Sequence, residues 1–316
     1  MFTSVVKRIL SAIPTLLIVS LVLFIMMNIL PGDATLTAAV SGADEAYMER
    51  LRAEMGLDKP AYIRYLDWLG GFVTGDLGHS LVSQQPVSNI LMQRLPVTIE
   101  LTLLSMLLSV IVAVPLGILS AMKRNSPIDV IGSTISVFGI AMPSFWMGIL
   151  LILLFSVTLY WLPASGFTPF LKNPVRNLQQ MIMPAFAIGF SFAATVMRQT
   201  RSAMLEVIHQ DYITTAYSKG IPNRRVIWKH ALRNALIPVL TVVSTQIGRL
   251  IGGAVVAEQV FALPGIGRQI VDGILSRDYP VVMGLIMVVA ASVILINTLV
   301  DVLYILIDPR ISHNRK

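Results

Sequence analysis

The chain has no cysteine and few charged residues, and both shortages narrow what it can be. Because none of its 316 residues is Cys, disulfides, thiolate metal sites and a Cys nucleophile are excluded. Only 13% of the residues are charged, against about 25% in soluble domains, while 55% are hydrophobic. The charged segments lie between apolar runs that are too long for a soluble core. The composition therefore predicts a polytopic membrane protein, and the net charge of +7 does not point to a nucleic-acid partner.

The sequence also lacks the common signatures of an enzyme. It contains no G-x-x-x-x-G-K-[ST] loop, so we expect no ATP site in this chain, and no nucleophile elbow. We accordingly predict that the chain is not an enzyme and holds neither a metal nor a cofactor of its own. Its four histidines are scattered and form no H-E-x-x-H pair: His79, His209, His230 and His313.

Six long apolar segments predict an all-α membrane protein with six transmembrane helices. The first, at about 9–30, exceeds the 7–15 apolar residues of a signal peptide, which favours an uncleaved span over a cleaved leader. The third contains Pro143, and a proline inside a span kinks the helix. The predicted divisions are a tail with the first span (1–30), a polar segment (31–96) and a five-helix core (97–316). The other apolar segments lie at about 97–122, 130–160, 181–200, 236–257 and 281–307.

The polar segment contains an amphipathic stretch at Tyr62–Val73 that predicts a helix. An apolar stripe of this kind most often packs against the spans of its own chain or lies at the membrane interface. The residues of the stripe are Tyr65, Trp68, Leu69 and Phe72.

Lysine and arginine are concentrated in alternate connecting segments. If the N-terminus lies inside, the inside segments carry a clear excess of positive charge, and the outside segments carry a slight excess of acids. The positive-inside rule then places both termini in the cytoplasm. The basic residues of the inside segments are Lys7, Arg8, Lys123, Arg124, Arg198, Arg201, Lys219, Arg224, Arg225, Lys229, Arg233, Arg310, Arg315 and Lys316.

One basic interval between two spans predicts a short isolated helix. Asp211 is a good N-cap residue, Gly220 is a good residue to follow a helix, and Pro222 cannot continue it. The pattern predicts a helix at roughly 212–219, about 12 Å long. Because a two-turn helix is unstable alone in water, we expect it to dock on a soluble partner. From the pattern alone, a basic loop lying on anionic lipid is an equally good interpretation.

Arg249 lies deep in the fifth apolar segment, where an unpaired charge is costly unless it faces protein or water. It either lines a translocation path, together with Gln246, and meets an anionic group of a substrate, or it pairs with an acid of a partner subunit. Gly248 and Gly252 form a G-x-x-x-G spacing, which lets another helix approach closely.

The stretch Asp211–Pro238 resembles the EAA loop of permease subunits of binding-protein-dependent ABC importers. More narrowly, the chain resembles the B-type permease of the dipeptide, oligopeptide and glutathione group over essentially its whole length. Several strings in the same order carry this resemblance, which makes it more specific than the loop alone. They are Leu30–Asp33, Met55–Pro60, Gly75–Ser80, Arg94–Thr98, Val260–Gly267, Arg277–Val282, Val300–Tyr304 and Asp308–Arg310.

The resemblance implies a type I ABC importer permease with a large periplasmic segment after the first span and a cytoplasmic coupling loop at about 201–235. The family's Glu-Ala-Ala falls on Thr214-Thr215-Ala216, so a Thr replaces the acid, and the later proline of the loop falls on Arg233. The residues implied to couple to an ATPase are Asp211, Tyr212, Thr214, Thr215, Ala216, Lys219, Gly220, Arg224 and Arg225.

The resemblance also implies partners in a bacterial inner membrane. These are a second related permease, two cytoplasmic ATP-binding cassette subunits that bind ATP and Mg, and an extracytoplasmic binding protein. The binding protein would dock on the outer face, and the candidate contact residues there are Asp33, Asp58, Asp76, Arg277 and Asp278.

The function implied is the import of di- or oligopeptides, with glutathione as a near alternative and nickel or metallophore complexes as a further one. An alternative of a different class is an ion-coupled secondary peptide carrier. Such a carrier would need coupling-ion groups, often intramembrane acids, and usually internal repeats, and neither is clear in this sequence.

Overall fold

The computed structural model describes residues 2–29 and 59–307, leaving aside the side chains of residues 2–9, 11 and 301–307. Within these ranges the regular elements are all helical, as predicted. The helices are α1 (Phe2–Ile29), α2 (Ala61–Thr74), α3 (Val87–Met122), α4 (Pro127–Ala141), α5 (Ser144–Leu151, continued by π-helical Ile152–Thr158), α6 (Pro174–Ile208), α7 (Asp211–Ser218), α8 (Leu232–Val260, preceded without a break by the helical turn Asn223–Arg225 and by π-helical Val226–Ala231), α9 (Ile266–Leu275) and α10 (Tyr279–Ile307).

Five helical stretches of the described chain are long and apolar enough to cross a membrane, and a sixth span forms if α4 and α5 count as one. Those two helices meet at a 107° bend. The bend falls at Met142-Pro143, where the backbone leaves the helical region, so the predicted proline kink is a full break. α3 begins at Val87, and the last ten residues of the predicted polar segment therefore belong to a spanning helix.

The chain forms two compact units, the first built from residues 1–97 and 265–316. In this unit α1 packs against α10, and α2 lays its predicted apolar stripe on α1. Phe24 of α1 meets Tyr65 edge-on at 5.4 Å between ring centroids and stacks on Trp68 at 6.5 Å. The Tyr65 hydroxyl also lies 2.8 Å from Ser20 Oγ. The amphipathic helix is confirmed, and its aromatic side packs on a span of its own chain.

The second unit comprises residues 98–264, and its core is the packing of α6 against α4, α5 and α8. Glycine lets helices approach closely here. A Cβ on Gly117 of α3 would lie 2.8 Å from the Met197 carbonyl oxygen and 2.6 Å from Thr200 Cβ, both on α6. A Cβ on Gly139 of α4 would lie 2.8 Å from Ala194 Cβ. α6 is thus the central helix of this unit, and α7 comes directly after it.

Candidate functional site

The predicted short helix is present as α7, one residue earlier than expected. Its N-cap is Gln210, whose side chain makes no capping bond, and Asp211 is the first helical residue. The prediction of Asp211 as N-cap is therefore wrong, although an acid in the first turn still favours the positive end of the helix dipole. At the other end, Gly220 adopts φ +74 as predicted. Its N–H bonds the Tyr217 carbonyl at 2.9 Å, and the Ile221 N–H bonds the Ala216 carbonyl at 3.3 Å, which is a Schellman motif.

α7 has one face turned into its own chain and one face exposed. Ile213 and Ala216 are buried at 1% and 6% exposure, and α7 packs on the π-helical segment Val226–Ala231. Ala216 was predicted to shape the contact with a partner, but its burial inside this chain makes it a packing residue. The other predicted coupling residues are all exposed: Asp211, Tyr212, Thr214, Thr215, Lys219, Gly220, Arg224 and Arg225.

Two tyrosines tie α7 to the segment after it. Asn234 at the start of α8 donates its amide N–H to the Tyr212 hydroxyl at 2.7 Å. The Tyr217 hydroxyl donates to Asn223 Oδ1 at 2.8 Å. These bonds and the buried Ile213 hold the two-turn helix in place, because its own propensity is too weak to do so.

A buried cluster of polar residues lies near the C-terminal end of α6, and the sequence analysis did not identify it. The Asp129 carboxylate at the start of α4 accepts from Arg201 of α6 through both oxygens, from Nε at 2.6 Å and from a terminal guanidinium nitrogen at 2.8 Å. It also accepts from the Ser120 hydroxyl of α3 and from the Asn125 backbone N–H at 2.9 Å. We call Asp129, Arg201, Ser120 and Asn125 the base cluster.

The base cluster joins three helices just before α7 begins. Arg201 lies seven residues, about 10 Å of helix, before the end of α6 at Ile208. The Asp129 side chain is 5% exposed and that of Arg201 is 27% exposed, so solvent screens this ion pair little.

An acid near the end of one span and a basic residue near the end of another were the only signals of the base cluster in the sequence. Their pairing across 72 residues needed the fold.

Arg249 lies on an exposed face of α8, and Gln246 beside it is half-buried. Within the described chain, no hydrogen bond or ion pair involves the Arg249 side chain. Its charge is therefore not satisfied by an acid of the described residues, and both sequence interpretations of Arg249 stay predictions. Exposed residues of the same face recur at helical spacing, and we call them the α8 polar face: Thr241, Thr245, Arg249 and Gly252.

Glu258 near the end of α8 has a different environment, and sequence reasoning did not single it out. It is fully buried and accepts from the Thr98 hydroxyl of α3 at 2.6 Å. Its place nine residues after Arg249 puts it about half a turn away around the helix, on the side that packs into the chain. The lone acid in the run Ala254–Phe261 was the available signal.

The predicted docking residues divide into accessible and inaccessible ones. Asp278 is only 4% exposed and accepts from the Ser80 hydroxyl at 2.5 Å and the Leu81 N–H at 3.0 Å. Its prediction as a docking residue is therefore wrong, because it fastens two loops of its own unit. Asp76 and Arg277 are exposed, while the predicted Asp33 and Asp58 lie outside the described residues.

Comparison with known proteins places this architecture in a family. Residues 113–313 match the family described as Binding-protein-dependent transport system inner membrane component, and residues 1–102 match the N-terminal family of the same transport systems. The chain belongs to this family of inner membrane transport components. It is therefore a multi-pass permease of a binding-protein-dependent system, as the resemblance implied.

Relatives match along almost the whole chain. A Brucella suis protein whose name assigns it provisionally to a peptide transport system is 44% identical over 310 residues, covering 98% of this chain and 99% of that protein. The oligopeptide transport system permease AppB of Bacillus subtilis is 41% identical, covering 98% and 99%. The glutathione transport system permease GsiC of Escherichia coli K12 is 41% identical, covering 99% and 100%.

A solved structure shares the fold. The crystal structure of an amino acid ABC transporter with histidines superposes with a TM-score of 0.51 at 15% identity, covering 71% of this chain and 94% of that one. At this identity the likeness supports the arrangement of helices alone.

Proposed function

We propose that this chain is one of two permease subunits of an ATP-driven importer that carries di- or oligopeptides, or glutathione, across a bacterial inner membrane. The observation that carries the proposal is whole-length similarity at 41–44% identity to permeases named for peptide, oligopeptide and glutathione transport. Identity at this level over a whole permease favours a shared substrate class. The chain supplies the path, and partner subunits supply ATP hydrolysis with its Mg.

The coupling element of this proposal is the outward face of α7. Asp211, Thr214 and Thr215 are exposed on the side of α7 opposite the buried Ile213 and Ala216. A helix that is fixed to its own chain on one side and open on the other fits a groove on a soluble partner. The occupant we propose is a cytoplasmic ATP-binding cassette subunit, one for each permease.

The base cluster gives that docking a mechanical consequence. The bidentate pair of Arg201 with Asp129 fixes the end of α6 to α3 and α4, and α7 begins only a few residues after α6 ends. A movement of α7 therefore shifts a block of spanning helices, because the three helix ends are tied together. ATP-driven closure of the cassette subunits would bias such a block between inward-facing and outward-facing states.

The orientation we propose has α7 and both termini in the cytoplasm. The basic residues around α7 support it through the positive-inside rule, and the exposed Arg224 and Arg225 are among them. The opposite side would then receive the binding protein, with the exposed Asp76 and Arg277 as contact candidates.

The proposal is tested by reconstitution. The chain is co-expressed with the second permease, cassette subunits and binding protein encoded beside it, and the purified complex is placed in proteoliposomes. We expect uptake of a labelled dipeptide or tripeptide that requires both ATP and the binding protein.

Two outcomes would overturn the proposal. Uptake by this chain without cassette subunits, driven by a proton or sodium gradient, would establish a secondary carrier. ATP-dependent uptake of nickel or a metallophore complex, with no uptake of peptides or glutathione, would keep the importer class and remove the substrate class.

A further inference from the structure

The spanning part of α8 presents an exposed face that carries two threonines and an arginine, and that continues to the exposed apolar Val256 towards the end of the helix. Thr241, Thr245, Arg249 and Gly252 are separated by intervals of four, four and three residues, so they share one side of the helix. All four are exposed. The opposite side, which includes Leu250, Ala254, Ala257 and Glu258, is buried in the chain.

Lipid is an unfavourable environment for this face of α8. Arg249 lies eleven residues, about 17 Å of helix, before the end of α8 at Val260, and seventeen residues after its start. An arginine at the centre of a spanning helix costs about 2.5–3.5 kcal/mol by membrane-insertion scales. The two threonine hydroxyls add further polarity one and two turns away. The face therefore meets water, a polar ligand or a polar surface of another subunit.

The hydroxyl groups of this face retain free acceptor capacity. Thr241 donates its hydroxyl proton to the Ile237 carbonyl at 3.1 Å, and Thr245 donates to the Val242 carbonyl at 3.0 Å. Each hydroxyl oxygen keeps lone pairs that can accept from an N–H group of a ligand. The face thus offers the N–H donors of the Arg249 guanidinium and, next to them, threonine hydroxyl oxygens that can accept hydrogen bonds.

Of two adjacent glycines in α8, Gly252 shows that there is room on the side that carries Arg249. A Cβ on Gly253 would approach Ile188 Cγ2 at 3.1 Å, so internal packing accounts for that glycine. A Cβ on Gly252 would meet no atom within 4 Å. The packing of the unit does not require glycine at 252, and the open space there lies about one helical turn from Arg249 on the same face.

We propose that Arg249, with Thr245 and the space at Gly252, forms a transient binding site for the C-terminal carboxylate of a peptide in transit. The inference rests on the proposed function, because it assumes that the α8 polar face lines the path. A guanidinium binds a carboxylate through two parallel N–H···O bonds, a geometry that ammonium groups do not reproduce. Every unmodified peptide carries this carboxylate whatever its side chains, so one arginine can serve many sequences.

The test is a cycle of two ligands and two proteins in the reconstituted complex. One ligand is a labelled tripeptide with a free C-terminus and the other is its C-terminal amide, each at a concentration that saturates the binding protein. The proteins are the unsubstituted complex and Arg249→Gln. Because the same binding protein serves all four measurements, its own preference cancels from the ratio of ratios.

We expect the unsubstituted complex to carry the free acid at least about tenfold faster than the amide at saturation, a difference within reach of one charge-assisted pair. Arg249→Gln should carry both at similar rates, and Arg249→Lys should keep part of the difference because it retains the charge but not the fork. Arg176→Gln, which removes an exposed arginine at the start of α6, should behave like the unsubstituted complex. Binding-protein-stimulated ATP hydrolysis should persist in all of these variants.

Four results would overturn the assignment. An acid-to-amide ratio that is the same in the unsubstituted complex and in Arg249→Gln would show that the guanidinium does not recognise the carboxylate. Loss of the second permease on purification of Arg249→Gln would show that Arg249 pairs with an acid of that subunit instead. An unsubstituted complex that transports neither ligand with ATP would contradict the proposed function itself. An equal loss of transport of both ligands in Arg249→Gln alone would contradict only this binding site.

Discussion

Two arginines in spanning helices of the same unit meet opposite surroundings. Arg201 of α6 holds Asp129 through both carboxylate oxygens, and that carboxylate also accepts from Ser120 and Asn125. Arg249 of α8 is exposed and has no such partner among the described residues. The charge of Arg201 is satisfied within the chain, and the charge of Arg249 faces outward.

This difference in surroundings indicates different roles for the two arginines. A buried ion pair is a weak source of net stability, but removing one partner leaves an uncompensated charge and is strongly destabilising. Arg201 and Asp129 therefore hold together the ends of the helices to which α7 is attached. A charge that is not satisfied within the chain has to be satisfied by a ligand, water or another subunit. We therefore give Arg201 a structural role, and a role of Arg249 in transport is our proposal.

The largest expected effect comes from breaking the base cluster. Arg201→Met leaves the Asp129 carboxylate buried without its cation, and we expect a loss of about 3–5 kcal/mol in the free energy of unfolding. The measurement is the thermal midpoint and yield of the purified complex in detergent. Arg198→Met, one turn earlier and exposed, is the matched control and should change stability by less than about 0.5 kcal/mol. Equal midpoints for the two variants would contradict a structural role for Arg201.

The next effect compares a packed glycine with an open one. Gly117→Ala places a Cβ 2.8 Å from a backbone oxygen of α6, so a helix has to move, and we expect a loss of about 1–3 kcal/mol. Gly252→Ala meets nothing within 4 Å and should leave the stability of the complex unchanged or slightly raised. Thermal midpoints of the two purified variants decide the matter. A larger loss for Gly252→Ala would mean that another subunit packs closely against that face.

A smaller effect is expected at the end of α7. Gly220 has φ +74, and an alanine there costs about 1–2 kcal/mol because its Cβ is strained in that region even though the space is open. The strain should loosen the Schellman turn locally. Hydrogen exchange of the Gly220 and Ile221 segment measures it, with Ser218→Ala as control. Unchanged protection in Gly220→Ala would argue against this turn.

The smallest structural effect is expected at the exposed arginine. Arg249→Met removes no contact within the described chain, so the thermal midpoint of the complex should shift by an amount that corresponds to less than about 0.5 kcal/mol. Uptake of the labelled peptide by the reconstituted complex, by contrast, should fall. A midpoint drop as large as that of Arg201→Met would erase the distinction between the two arginines.

Much of the fold could be predicted from the sequence because long apolar runs are strong signals. The spans, the amphipathic helix with Tyr65 and Trp68, and the turn at Gly220 are consequences of composition, periodicity and turn chemistry. The full break at Pro143 exceeded the predicted kink, because a proline removes a donor but does not itself set the direction of the next helix.

The side-chain contacts of the site were less predictable. The sequence analysis predicted a binding-protein contact at Asp278 and an ATPase contact at Ala216, yet each is buried by contacts with other segments of its own chain. The pairing of Asp129 with Arg201 and of Glu258 with Thr98 likewise depends on which helices become neighbours. Periodicity assigns a residue to a face of a helix, and only the fold determines which residues that face contacts.

The most direct test of the coupling proposal uses single cysteines in this cysteine-free chain. Thr215→Cys lies on the exposed face of α7 and Ala216→Cys on the buried one. With a short bifunctional reagent and an engineered cysteine on the cassette subunit, we predict that Thr215→Cys crosslinks to that subunit in a manner that changes with ATP, while Ala216→Cys does not. A transport-competent Thr215→Cys complex that never crosslinks, or efficient crosslinking from position 216 in its place, would contradict the docking of α7 on a cassette subunit.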